Sequence, residues 1–157
     1  VPRFEFPFSN ESLTEPLLEF SEVGNKYFYD VQYNGDIEVG AIIRVQFNTN
    51  PSQITPIEIH DVIDRQVIKL DLSQIQSSTG VTFEQYGSIV INSVRGQKDI
   101  YYERFGIIKS LFGAFDIIHF PWMYLSPGVN QFAFIMDDEN YDNVTITIEH
   151  SGAYGGV

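Results

Sequence analysis

The chain has 157 residues, 43% hydrophobic and 15% aromatic, with 9 basic residues against 21 acidic ones. That supplies enough apolar material for one packed domain and too much for disorder, while a net charge of −12 repels nucleic acid and anionic membrane surfaces. Cysteine is absent, which excludes disulfides and thiolate metal sites, and no apolar run approaches the roughly 20 residues of a membrane helix.

Residues 1–20 open with prolines at positions 2 and 7. Proline cannot donate to a strand ladder, so this stretch is expected to be a lead-in linker or an edge strand. Residues 21–157 are expected to form one β-sandwich domain. Tyr27 to Tyr33 is rich in aromatic and β-branched residues and predicts a strand; Asn34-Gly35-Asp36 then predicts a tight hairpin turn. Glu38 to Phe47 continues as a long strand, with Val39, Ala41, Ile43, Val45 and Phe47 on one face and Ile42, Arg44 and Gln46 on the other. Ile57 to Val62 and Ile68 to Leu72 alternate about a turn at Asp64-Arg65, and Ser73 to Gly80 reads as a polar turn. A short strand is expected at Val81 to Glu84. Ser88 to Asn92, Ile100 to Glu103 and Ile107 to Leu111 follow, separated by turns at Gly96 and at Phe105-Gly106. The closing segment predicts two strands, Val129 to Met136 and Val144 to Glu149, paired as a hairpin across the acidic turn 137–143. About ten short strands without a helical period indicate an all-β, antiparallel sandwich.

Few residues suggest chemistry. Asp138, Asn140 and Asp142 have the spacing of a calcium loop, with Glu149 near the position of a twelfth-place ligand. Asn143 stands where such a loop needs glycine, and Glu149 ends a strand, so a solvated turn is favoured over a looser calcium site. His60, His119 and His150 lie far apart, without the spacing of a zinc site. Trp122 and Tyr124 share one side of their segment and offer aromatic faces for a sugar ring, although a lone Trp in such a context usually packs in a core. Arg95, Lys98, Arg104 and Lys109 form a local basic group set against Asp99 and Glu103. Asn10 and Asn143 are glycosylation sequons. No nucleophile elbow, phosphate loop or supported carboxylate pair is present, so neither an enzyme nor a cofactor is expected.

The closing half also carries a resemblance. Ile89-Val90-Ile91-Asn92, the Gly96 turn and Ile107-Ile108-Lys109-Ser110-Leu111 precede Phe120-Pro121-Trp122-Met123-Tyr124-Leu125. Ser126-Pro127-Gly128-Val129-Asn130 and the tail Tyr154-Gly155-Gly156-Val157 complete the set, with Asn34-Gly35-Asp36, Glu38, Gly40 and Asn50-Pro51 upstream. Together these resemble the C-terminal domain of the distal tail proteins of long-tailed phages and prophages of Gram-positive bacteria. The bulky Asp116 to His119 departs from that pattern, and the family's N-terminal ring-forming domain has no visible counterpart here. The resemblance implies a galectin-like or jelly-roll sandwich at a virion tail tip, in the baseplate hub region. Its expected role is a structural scaffold for receptor-binding or other baseplate proteins. Full-length family proteins are hexameric through the ring domain, so this chain is expected to be a monomer. The alternative function is a carbohydrate-binding module for host cell-surface saccharide.

Overall fold

The computed structural model describes residues 3–7, 25–51, 56–136 and 143–150, with the backbone alone for 3–7 and 25–26. Twelve strands are present among them. They are β1 (Arg3–Pro7), β2 (Asn25–Tyr33), β3 (Val39–Gly40), β4 (Ile42–Phe47), β5 (Ile57–Asp61) and β6 (Gln66–Leu70). After a helix, α1 (Leu72–Thr79), come β7 (Ser88–Asn92), β8 (Asp99–Arg104), β9 (Ile107–Ser110), β10 (Tyr124–Leu125), β11 (Gly128–Met136) and β12 (Val144–Glu149). A six-stranded sheet runs β1-β12-β4-β7-β8-β9, a four-stranded sheet runs β2-β11-β5-β6, and β3 and β10 form a small pair. All pairings are antiparallel. The protein is an all-β antiparallel sandwich.

Alternation builds the core. Val39, Ala41, Ile43, Val45 and Phe47 are buried on the inward side of β3 and β4, while Ile42, Arg44 and Gln46 lie on the half-exposed outer side. Ile57 and Ile59, Ile68 and Leu70, Phe132 and Phe134, and Ile146 and Ile148 join them in one buried cluster. Each large apolar side chain that leaves water there contributes about 1.5–3 kcal/mol. Strand β11 buries apolar side chains on both sides: Ala133 is buried on the face opposite Phe132 and Phe134.

Two expected hairpins are not hairpins. β11 pairs with β2 and β5 in the four-stranded sheet, whereas β12 pairs with β1 and β4 in the six-stranded one. The two strands therefore lie in different sheets. The same holds across Asn34-Gly35-Asp36, which carries the chain from β2 towards β3 and β4 without pairing β2 to either. The expected long strand from Glu38 to Phe47 is also broken at Ala41, because β3 turns to pair with β10. The turns expected at Asp64-Arg65, Gly96 and Phe105-Gly106 are present, and each joins a hairpin: β5–β6, β7–β8 and β8–β9.

Two local readings are corrected. The segment after Leu70 is a helix, capped by the Asp71 carboxylate, which accepts from the Gln74 N–H at 3.2 Å. Gly80 ends the helix in the left-handed conformation, φ 73°, and donates its N–H to the Gln76 carbonyl. Val81 to Glu84 is no strand; its Phe83 ring instead fills space between Phe47 and Tyr102, at centroid distances of 5.5 and 5.1 Å.

The turn before β11 is locked by its own residues. Gly128 takes φ 103°, which a side chain would resist. Buried Asn130 accepts from the Ser126 N–H at 2.9 Å and donates to the carbonyls of Ser126, Gly128 and Val31.

Candidate functional site

Alternation places Met123 and Leu125 in the core, both fully buried, and leaves Trp122 and Tyr124 on the outer side, half-buried. The backbone fixes this choice. The Met123 carbonyl accepts from the Ala41 N–H at 2.9 Å, its N–H reaches the Ser93 hydroxyl at 3.1 Å, and Tyr124 pairs with Gly40. Trp122 packs on the Phe120 ring at 4.6 Å, and Phe120 meets Phe115 edge-on at 5.4 Å. The Trp is thus neither in the core nor freely exposed. The Lys98 ammonium stands 5.5 Å from the Trp122 centroid and 5.6 Å from that of Tyr124, so one cation caps both rings. Tyr124 also lines a groove of about 450 Å³ with Glu38, Arg95 and the apolar flanks of Ile37 and Val94.

The four cations of the basic group do not form one patch. Arg95 and Lys98 sit at the turn leading into β8, and Arg104 at its other end, about 20 Å away along a six-residue strand. Arg104 is engaged: it donates to the Glu84 carboxylate at 3.0 Å and to the Gln85 carbonyl at 2.9 Å.

The histidines are dispersed. His60 on β5 pairs with Glu58 at 2.9 Å. His119 meets Asp116 at 2.8 Å on an exposed loop, and that hydrogen bond holds the Asp116 carboxyl below its usual range. His150 lies buried against the Tyr33 ring at 4.9 Å, and burial pushes its pKa down. Among the described residues, no three His, Asp or Glu side chains converge as a metal site would require. The calcium candidates Asp138, Asn140 and Asp142 lie outside the described residues, as does the Asn10 sequon.

A second surface was not singled out from the sequence. On the outer face of the six-stranded sheet, Arg44 and Gln46 from β4, Ser88 from β7, Glu103 from β8, and Thr145 and Thr147 from β12 line a groove of about 490 Å³. Tyr86 and Phe105 stand beside it, 56% and 73% exposed, with ring centroids 6.5 Å apart. The outward positions on β4 and β12 were readable from alternation; that those two strands are neighbours was not.

A third surface is the edge at β9, which among the described residues has a strand neighbour on one side only. Ile107 and Ile108, on opposite faces of that strand, are 65% and 60% exposed.

Fold and surface thus define an antiparallel β-sandwich with a groove beside Tyr124, another on the outer face of the six-stranded sheet and, among the described residues, an apolar edge at β9. No protein-family model matches the chain, and comparison with curated proteins and with solved structures gives no match.

Proposed function

We propose that the chain is a non-catalytic structural domain of a phage or prophage tail tip, of the distal tail type, that holds receptor-binding or other baseplate proteins. The edge at β9 carries this reading. A strand whose two faces both expose isoleucine, with Phe105 at its turn, is an aggregation hazard unless another chain covers it. Lys109 is the one charge within β9 that guards it. Addition of a partner's strand would satisfy the outer N–H and C=O groups and bury both isoleucines.

The strand order also supports a jelly roll over a galectin-like arrangement. The orders β1-β12-β4-β7 and β2-β11-β5-β6 interleave two Greek keys across the sandwich, with β8 and β9 extending one sheet. Jelly rolls serve both as virion components and as lectins, so topology alone does not choose between these roles. The resemblance at Ser126 to Asn130 adds weight to the first, since those residues form one hydrogen-bonded turn that sets up the central strand β11.

Lysine-reactive crosslinking of particles from cells carrying this sequence, read by peptide mass spectrometry, tests the proposal. Crosslinks from Lys109 to a second tail protein are expected. Absence of the chain from purified particles would sink it.

The second reading, a module for host cell-surface saccharide, is favoured by Trp122 and Tyr124, which stand together on the outer surface beside the groove at Glu38 and Arg95. On a cell-wall glycan array it requires binding that Trp122→Ala abolishes.

A further inference from the structure

We propose that the outer face of the six-stranded sheet holds a site for a neutral saccharide, built on Tyr86, Arg44 and Glu103 and separate from Trp122 and Tyr124. The groove of about 490 Å³ falls within the range of small-ligand sites and has room for a mono- or disaccharide.

Charge selects the ligand class. Arg44 and Glu103 meet in the groove at 2.9 Å, each neutralising the other. An anion there would face Glu103 and a cation would face Arg44. Vicinal hydroxyls suit both at once, because a hydroxyl accepts from the guanidinium and donates to the carboxylate. Around the pair, Gln46, Ser88 and Thr147 line the groove, and among the described residues no side-chain hydrogen bond engages these three.

The aromatic wall gives an independent argument. Tyr86 has φ 69° and Phe105 φ 50°, a left-handed conformation that disfavours bulky side chains; at Phe105 the two-residue β8–β9 turn shared with Gly106, φ 81°, requires it, whereas Tyr86 belongs to no hairpin turn. Neither ring recovers that cost by burial, since both are mostly exposed. The backbone holds Tyr86 in place: its N–H donates to the Phe47 carbonyl at 2.8 Å, and the Phe47 N–H donates to the Gly87 carbonyl at 2.8 Å. The Arg104 guanidinium, 4.7 Å from the Phe105 centroid, backs that ring. Strain held by its surroundings clusters at binding sites, and at Tyr86 it aims the ring outward beside a hydrogen-bonding floor. A pyranose would pack its C–H face on Tyr86 and present hydroxyls to Arg44, Glu103 and Thr147. This site stands whether or not the chain belongs to a tail, so either proposal can fail alone.

The test titrates the isotope-labelled chain separately with maltose, cellobiose, lactose and N,N′-diacetylchitobiose, following backbone amide shifts. At least one sugar is expected to move the amides of Tyr86, Ser88, Gly106 and Thr147 saturably. Tyr86→Asn tolerates a positive φ and so keeps the fold; it should weaken binding about tenfold or more. Arg44→Met should weaken it too, and Trp122→Ala should leave it unchanged. Silence at these amides with all four sugars, shifts gathered at Trp122 and Tyr124, or wild-type affinity in Tyr86→Asn would each overturn the proposal.

Discussion

Tyr86 and Asp61 are two places where the chain accepts a local cost. At Tyr86 the cost is conformational. Asparagine adopts positive φ more readily than tyrosine, and the exposed ring buries little, so Tyr86→Asn should raise stability by about 1 kcal/mol in urea unfolding. Unchanged or lower stability would mean that the ring contributes packing its exposure does not suggest. The sequence concealed this residue. In Gln85-Tyr86-Gly87 the glycine is the expected holder of a positive φ, yet the tyrosine takes it. Gly87 is needed for a different reason, because a Cβ there would collide with the Tyr102 ring. At Asp61 the cost is electrostatic. The carboxyl is buried, and burial raises its pKa, although it accepts from the Asp64 N–H at 3.2 Å. Its proton is therefore held more tightly in the folded state, so the ionised form costs stability at neutral pH and that cost fades as pH falls through the folded pKa. Asp61→Asn keeps an acceptor for Asp64, so it should be more stable than wild type at pH 7, with the gap closing towards pH 4. His150 has the opposite sign. Its pKa is lowered by burial, so stability is lost as pH falls below about 6.5, where the unfolded histidine takes its proton first. His150→Phe should flatten that part of the pH profile; an unchanged slope between pH 6.5 and 5 would assign it to other groups.

At the level of elements, alternation was legible and partnership was not. The inward faces of β4 and β12 follow from period two because water and core lie on opposite sides of a sheet. A turn such as Asn34-Gly35-Asp36 announces that the chain reverses, but a reversal within a sheet and an arch between sheets need the same turn chemistry. β2 and β11 are adjacent although nearly a hundred residues separate them, which no local signal encodes. The outer groove was hidden for the same reason: it exists because β12 and β4 lie side by side, bringing Thr147 opposite Arg44. Helix α1 was missed because only Leu72 and Ile75 are buried on it, too few to show a period. Its signals were the caps, Asp71 three residues before Gln74 and Gly80 after Thr79. The β9 edge yields the prediction at this scale. Ile107 and Ile108 make little internal contact with water removed, so Ile107→Lys with Ile108→Lys should change stability by no more than about 0.5 kcal/mol per site. A second double variant, Ile107→Glu with Ile108→Glu, adds no lysine and should abolish the Lys109 crosslinks within tail particles. Large destabilisation would show that these side chains hold the sheet together, and retained crosslinks would remove β9 from the interface.

Across the whole molecule, charge sets the balance. With 21 acids and 9 bases, most carboxylates have no cation to pair with. The ion pairs Arg44–Glu103 and Arg104–Glu84 are each partly solvated, so each contributes little in water. Folding gathers twelve excess negative charges into a smaller volume, and that self-repulsion opposes the compact state. Added salt screens the repulsion over its full range, with a Debye length of about 10 Å at 0.1 M and about 3 Å at 1 M. It also weakens the two pairs, but they have less to lose. Raising NaCl from low ionic strength to 0.5 M should therefore raise Tm by a few degrees at pH 7. Light scattering over the same series should report a monomer at low salt, where like charge keeps copies apart despite the apolar β9 edge. Association that begins only on screening would identify that edge as the surface charge protects. A Tm that falls with salt would instead place the electrostatic stability in specific pairs and not in the net charge.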